Sequence, residues 1–419
     1  MRLLVVTQYF WPENFRINDL VSELAKRGHQ VTVLTGQPNY PDGKIFPEFL
    51  ANKEAFASYE GIEVIRAPLI SRGKGGLRLV LNYFSFALNA TILGLWRLRH
   101  KEFDAIFAFE PSPITVALPA IALRTQKRIP FTFWVQDLWP ETLEAIGIIR
   151  SKKTLNIIGK LVSFIYKRCD LILAQSKSFI EKIKPYSHRN QNIEYFPNWA
   201  EQINETQNIA PASEIISKAD TFNIMFAGNI GDAQDFPAIL AAANILKNQK
   251  HIRWLIVGDG RLAHWVTDEI KCLGLQDQVL MLGRHPSERM PSFFKHADAL
   301  LVTLKDEPIF SMTIPSKLQA YLAAGIPILA MLNGEGAAVV KQADAGLTCP
   351  AGNYQELAAA VLQLSEMSPE KREQMGINGI MLSNTEFNRD KLINQLEHWL
   401  STVMYNQTNT KRLMLKEAE

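Results

Sequence analysis

Cysteine, metal-ligand spacings and secretory features are what this sequence has least of. Its three cysteines, Cys169, Cys272 and Cys349, stand far apart with no CxxC pair among them. That excludes a disulfide scaffold and a zinc cluster, and it fits a reducing compartment. The eight histidines contain no HxH or HxxxH pair, and no DxD-type acidic pair stands beside a glycine turn, Asp306-Glu307 being the nearest. No metal is therefore expected. The opening MRLLVVTQYFWPEN has one basic residue and a short apolar run, a poor secretory signal and a good first β-strand. Hydrophobic residues at 47% and charged residues at 21% exclude a wholly disordered chain. A length of 419 residues exceeds the roughly 250–300 that one core fills, so two or three domains are expected.

The net charge of +3 hides an asymmetry. Residues 1–200 carry 26 Lys and Arg against 17 Asp and Glu, a balance of +9. Residues 201–419 carry 19 against 25, a balance of −6. Such a split supports two domains with different partners and turns the basic half toward an anionic surface: membrane, nucleic acid or a phosphorylated substrate.

Both halves alternate strands and helices. In the first, β-branched and apolar runs predict strands at 3–7, 30–35, 62–66, 104–109, 130–136, 170–174 and 193–196, with helices at 18–26, 112–126, 151–168 and 177–184 between them. The second half predicts strands at 222–227, 253–257, 278–282, 299–303, 327–331 and 346–348, again separated by helices. Strands spaced this way imply βαβ units and mainly parallel sheets. The fold class is thus α/β, two Rossmann-like doubly wound parallel-sheet domains facing each other across a cleft. An N-terminal domain covers 1–200, a polar linker 201–221 and a second domain 222–385. A C-terminal amphipathic helix over 386–405 and a flexible tail over 406–419 complete the chain.

Phosphate chemistry concentrates in the second half. The strand 222–227 runs into Gly228, Asn229 and Gly231, where glycines let a ligand approach backbone N–H groups before a helix start. The strand 253–257 runs into Gly258-Asp259-Gly260-Arg261, a GxGxxG/A pattern that opens the second βα unit and lacks a following acid for a ribose, which argues against a dehydrogenase. In KDEPIFSMTIPSKLQAYLAAGIPILA, Pro315 and Ser316 start a helix that places Lys317 in its first turn. Lysine favours the other end of a helix, so its position needs an anion to explain it.

In combination these segments resemble a family. AGNIGDAQDF, LIVGDGRL, VLMLGRHP, ADALLVTL, PSKLQAYLAAGIPILA and GLTCPAGN are similar to the donor half of GT-B glycosyltransferases of the GT4 type. VVTQYFWPENFRINDLVSELAKRGHQVTVLT, PNYPDG, FWVQDLWPE and IEYFPNWAE match the front half, so the resemblance covers about residues 1–385. It implies bacterial O-antigen, lipopolysaccharide or exopolysaccharide assembly, with N-acetyl-L-fucosamine transferases as the nearest branch. The implied co-substrate is a nucleotide-diphosphate sugar, UDP-linked, with no other cofactor and no metal. The donor-binding expectation falls on Gly228, Asn229, Gly231, Gln234, Gly258, Arg261, Arg284, Ser316 and Lys317, the last also stabilising the leaving group. Relatives carry an Arg and a Lys where Asn229 and Gln234 stand, and two glutamates where Met312 and Ala320 stand. Lys317 is therefore the expected substitute cation. The wider family implies retention of configuration.

On the acceptor side, Glu110 and Asp137 each end an apolar strand, AIFAFE and FTFWVQD, where a carboxylate can position or deprotonate a hydroxyl. Asn14 and Arg16 lie in the first βα loop. The stretch 77–98, LRLVLNYFSFALNATILGLWRL, is free of charge from Leu79 to Trp96 and flanked by Arg72, Lys74, Arg78, Arg97, Arg99 and Lys101. It reads as a helix at an anionic membrane interface, with a buried core helix as the alternative. A polyprenyl-diphosphate-linked saccharide acceptor fits these features. The expected enzyme is cytoplasmic, peripheral on the inner face of the cytoplasmic membrane, with no nucleic-acid partner. A non-hydrolysing sugar-nucleotide epimerase and an inactive sugar-nucleotide or membrane-binding scaffold are the competing readings.

Overall fold

A computed structural model describes residues 1–41, 43–73, 76–145, 149, 151–200 and 209–416. The chain forms two compact units, one built from Met1–Pro197 with Asp390–Glu419, the other from Asn198–Arg389.

The first unit holds eight strands: β1 (Arg2–Thr7), β2 (Gln30–Gly36), β3 (Ser58–Tyr59), β4 (Ile62–Ala67), β5 (Ala105–Glu110), β6 (Phe131–Val135), β7 (Leu171–Ala174) and β8 (Ile193–Tyr195). Their order is β3-β4-β2-β1-β5-β6-β7-β8, and every pairing is parallel except β3 with β4. Central strands read as continuous apolar runs, LLVV and IFAF, because helices cover both faces. Strand order reverses between β1 and β5, paired through Val5↔Phe107. A reversal of this kind is where open α/β sheets bind ligands.

The second unit holds β9 (Phe222–Ala227), β10 (Ile252–Val257), β11 (Val279–Gly283), β12 (Ala299–Thr303), β13 (Ile328–Met331) and β14 (Gly346–Cys349). Their order is β11-β10-β9-β12-β13-β14, entirely parallel. Renumbered from its first strand this is 3-2-1-4-5-6, the dinucleotide-type order with its reversal between β9 and β12. All strands expected from the sequence are present; the two-residue β3, which pairs antiparallel on the sheet edge, was too short to leave a periodic pattern.

The chain's end differs from expectation. Two helices occupy it, Pro369–Thr385 and Arg389–Lys416, and the second runs through the span read as a flexible tail. Ile393, Leu396, Leu400 and Val403 are buried, so its nucleus is anchored and each further residue adds a hydrogen bond without a new nucleation cost. Glu397 fixes it to the first unit, accepting from Arg27 at 2.9 Å and meeting His29 Nε2 at 2.6 Å. The helix thus belongs to the unit that begins the chain. Residues 390–419 carry four cations and four anions, so the balances of +9 and −6 still hold for the two units.

The expected linker also changes. Residues 201–208 lie outside the described residues, whereas 209–221 packs on the second unit through buried Ala212 and Ile215, Ala212 N–H donating to Ser292 O at 3.0 Å. Polar composition hid two apolar anchors. Leu396→Ala, at a fully buried site, is expected to cost about 2–5 kcal/mol and to speed protease cleavage within 389–416. Thermal melts and limited proteolysis check it; an unchanged cleavage rate would refute the anchoring.

Candidate functional site

In the second unit two glycine turns crowd together near the strand reversal. Gly228 follows β9 with φ +146 and Gly258 follows β10 with φ +145. A Cβ on Gly258 would lie 1.9 Å from Gly228 O, and one on Gly260 would lie 2.4 Å from Ile230 O. Only glycine permits this approach. The turns are also bonded, Gly228 N–H to Val257 O at 2.9 Å and Ile230 N–H to Asp259 O at 2.9 Å.

Lys317 completes this corner. It lies in the first turn of the helix Ser316–Ala324, which follows Pro315 and ends at Gly325 with φ +68. Its stem is partly exposed, but Nζ is closed off from solvent and has no hydrogen-bond partner among the described residues. Nζ sits 3.8 Å from the centroid of the Phe226 ring and 3.1 Å from where a Gly228 Cβ would be. Burial alone pushes its pKa down to about 7. Tyr321, one turn later on the same face, sets this position. Its hydroxyl accepts from Ala227 N–H at 2.9 Å and donates to Ala227 O at 3.1 Å, stitching the helix to the end of β9. The sequence showed Tyr321 only as an apolar-face residue; a tyrosine there needs a polar partner, which was the available clue.

The other expected donor-side residues divide. Gly228, Asn229, Gly231, Gly258 and Lys317 come together. The Gln234 side-chain oxygen accepts from Gly231 N–H at 3.2 Å, so it braces the turn. Arg261 pairs with Asp232 on an exposed edge. Arg284 and Ser316 are exposed, Ser316 at the helix start beside Lys317.

In the first unit Glu110 and Asp137 meet at the ends of adjacent strands β5 and β6. Asp137 N–H donates to Glu110 Oε2 at 3.3 Å, and Glu110 Oε1 is buried without a partner. Burial first, and then the charge of Asp137, raise the Glu110 pKa well above the usual carboxylate range. Burial pushes Asp137 up to about 6, opposed by hydrogen bonds from Thr142 and Ser112. The two carboxyls therefore titrate as a coupled pair that burial keeps from ionising fully. Tyr83, from the helix Gly76–Arg97, stands over this pair: it bonds Ser112 and feels both carboxylates, with Trp139 packed on its ring at 6.1 Å.

Asn14 is exposed and Arg16 opens the helix Arg16–Lys26. The residue that organises this loop is one the sequence reading passed over. Glu13 Oε1 accepts from Asn39 N–H at 2.8 Å and Tyr40 N–H at 2.7 Å, and Oε2 from Phe10 N–H at 3.2 Å. Burial raises it to about 7.

Family models match both units: "Glycosyl transferase 4-like domain" over 14–199 and "Glycosyl transferases group 1" over 212–381. The chain belongs to the GT4-type group 1 glycosyltransferases. This glycosyltransferase is 26% identical to the probable glycosyltransferase WbjE of Pseudomonas aeruginosa, over 71% of this chain and 73% of that one. It is 25% identical to WcaI of Escherichia coli K12, a putative colanic acid biosynthesis glycosyl transferase, over 78% and 82%. Among solved structures, Anabaena HepE in complex with UDP superposes with a TM-score of 0.67 at 16% identity, covering 96% of this chain and 100% of that one, and shares the GT-B fold.

Lys317 makes a stability prediction. Above pH 10.5 the group is neutral whether folded or not and costs nothing. Between 10.5 and about 7 the unfolded chain binds a proton that the folded glycosyltransferase lacks, so stability falls as pH falls; below 7 the cost is constant. Lys317→Met is thus expected to stabilise the ligand-free protein at pH 7 by about 1–3 kcal/mol. Denaturant unfolding at pH 7 checks it, and a destabilised variant would refute the cost.

Proposed function

We propose that this glycosyltransferase moves a sugar from a UDP-linked donor, with N-acetyl-L-fucosamine a leading candidate, to a polyprenyl-diphosphate-linked saccharide in O-antigen or capsule polysaccharide synthesis. The reaction runs without a metal, on the inner face of the cytoplasmic membrane. One observation carries the reading: a buried lysine amine with no counterion among the described residues, held beside two glycine turns at the strand reversal. A buried, unpaired lysine of this kind marks a functional-site candidate, and an anion would complete it.

A diphosphate supplies that anion. It raises the Lys317 pKa, draws in a proton, and receives stabilisation as charge develops on the leaving group. Glycine-turn backbone near Asn229 and the helix start at Ser316 add N–H dipoles. In the transfer, the anomeric carbon's bond to the diphosphate oxygen breaks and its bond to the acceptor oxygen forms. Asp137, ionised at neutral pH, takes the acceptor hydroxyl proton, and the nucleoside diphosphate leaves with the electron pair. UDP in the HepE complex and the colanic acid biosynthesis in the WcaI name support the donor and the pathway.

The membrane surface rests on the helix Gly76–Arg97. One face is buried through Asn82, Phe86, Ala87 and Ala90. Its polar residues bond neighbouring chain: Asn82 accepts from Gln8 at 2.7 Å and donates to Ile70 O at 2.7 Å, Ser85 accepts from Ile70 N–H at 2.9 Å, and Asn89 donates to Pro68 O at 2.9 Å. Its length and apolarity suffice to cross a bilayer, but these bonds tie it to the sheet unit. The opposite face exposes Val80, Phe84, Leu88, Ile92 and Trp96 at four-residue spacing, Leu88 and Trp96 by 62% and 61%. Arg78 and Arg97 flank that stripe, which suits an anionic bilayer surface.

Lys317→Met is expected to weaken UDP binding at least about tenfold, measured by calorimetry. Wild-type affinity should fall as pH rises from 7 to 9, because binding needs the proton, and the variant should lose that slope. Asp137→Asn should keep UDP affinity while lowering kcat about 100-fold or more. Product mass spectrometry over a panel of UDP-sugars with lipid-linked acceptors tests the activity, and absence of both turnover and UDP binding would overturn it. The doubly substituted Leu88→Glu, Ile92→Glu chain should lose flotation with anionic vesicles while melting normally; retained flotation would reassign the stripe.

A further inference from the structure

After β2, Asn39, Tyr40 and Gly43 meet the segment 68–73 that follows β4. Gly73 N–H donates to Gly43 O at 3.0 Å and Gly43 N–H to Asn39 O at 2.8 Å. Gly43 and Gly73 both have positive φ, +71 and +54, and a Cβ on Gly43 would lie 2.9 Å from Gly73 N. The two segments therefore share a backbone clasp that side chains would open.

Two arginines gather at this clasp. Arg78 folds over Gly73, with Nη1 2.9 Å from where that residue's Cβ would lie. Arg72 places its guanidinium 5.4 Å from the Tyr40 ring centroid. Among the described residues neither arginine pairs with a carboxylate or makes a hydrogen bond. Elsewhere in this unit Arg2, Arg27 and Arg124 are all paired with acids. Between them they offer ten N–H donors, in a geometry suited to a multiply charged anion.

The surroundings identify that anion's bearer. Tyr40 is 39% exposed yet rigid, packed on Tyr9 at 5.6 Å and Phe15 at 5.3 Å, with its N–H held by Glu13. The Arg72 charge acts on the hydroxyls of Tyr9 and Tyr83, and Tyr83 also feels Asp137 and Glu110. Arg72 thus shares a neighbourhood with the proposed base. On the other side, Val80 and Phe84 begin the exposed apolar stripe within six residues of Arg78. From Arg78 to Trp96 that stripe is about 27 Å long.

We infer that Arg72 and Arg78, with the face of Tyr40, form a subsite for the diphosphate of a prenyl-linked acceptor, between an apolar track for its chain and the carboxyl pair that receives its sugar. This rests on the glycosyl-transfer reading above and adds to it the acceptor's diphosphate contact. Arginine suits the task because its planar fork grips two phosphate oxygens at once, whereas a lysine offers a point charge.

The test uses the full-length protein with its donor site saturated by UDP, and farnesyl diphosphate as a soluble probe titrated by calorimetry. Wild type is expected to bind. Arg72→Ala and Arg78→Ala should each weaken the probe at least about tenfold, with UDP affinity and melting temperature unchanged. Arg72→Lys should recover only part of the loss. In steady state Arg72→Ala should raise KM for the lipid-linked acceptor with kcat little changed. Inorganic pyrophosphate under the same conditions isolates the charge contribution, and it should weaken in parallel in both variants. Vesicles with anionic lipid separate the sources of phosphate: if Arg72→Ala loses vesicle binding while keeping farnesyl diphosphate affinity, the arginines read bilayer headgroups and the inference fails. Failure of UDP-saturated wild type to bind the probe also overturns it, while UDP-sugar turnover stands. Loss of UDP binding and turnover in wild type overturns the underlying reading instead.

Discussion

An ammonium group without a counterion governs the second unit. Burying the Lys317 charge costs free energy that nothing in the ligand-free chain returns, so the group sits near neutrality with its Nζ over the Phe226 ring. That cost is tolerable only because the helix carrying it is held firmly. Tyr321 clamps the helix to both polar atoms of Ala227, and the residues on either side of Ala227 are Phe226 and Gly228. A single tyrosine therefore sets the distance between the cation and the glycine turn. The turns in their own right are jammed together so tightly that one methyl group on Gly258 would collide with Gly228 O. Stored electrostatic cost and a rigid cradle are the two ingredients of a preorganised anion site.

The first unit stores its cost in carboxyls. Glu110 and Asp137 end neighbouring strands, so sheet geometry forces them together, and burial forbids both from ionising. The outcome is a coupled pair in which burial raises both carboxyls and the charge of Asp137 raises Glu110 further. The same unit solves a second problem with one helix. Gly76–Arg97 packs on the sheet with one face and leaves the other apolar face open, its asparagines and serine spent on the 68–70 segment. A helix that hydropathy alone would rank as a membrane span is thereby made part of a globular unit with an exposed greasy edge.

Much of the fold was legible because its signals are local. Apolar runs such as LLVV, IFAF and LLVT mark strands wherever they lie, and Gly325 after SKLQAYLAA marks a helix end. The glycine turns were legible for the same reason, as was Lys317, whose place at a helix start contradicts its dipole preference. Other features left no local trace. Nothing in EFNRDKLINQLEHWL says that Glu397 will meet Arg27 and His29 across the whole length of the chain, or that the helix continues past 405. Glu13 looks like any loop acid until three N–H groups are seen to converge on it. Gln234 braces Gly231 with its side-chain oxygen, a role that no local pattern announced.

By itself the sequence determined two α/β units, the family, the charge imbalance between the units, and the residue types available at each strand end, since periodicity, glycine spacing and composition are properties of neighbouring residues. The tertiary structure decided which of those residues meet. It joined Glu110 to Asp137, set Lys317 against Gly228, returned the last helix to the first unit, and brought Arg72 and Arg78 to one clasp. Those pairings depend on strand order and loop closure. Contacts between distant positions, and the loss of solvent that shifts their protons, exist only once the chain has folded.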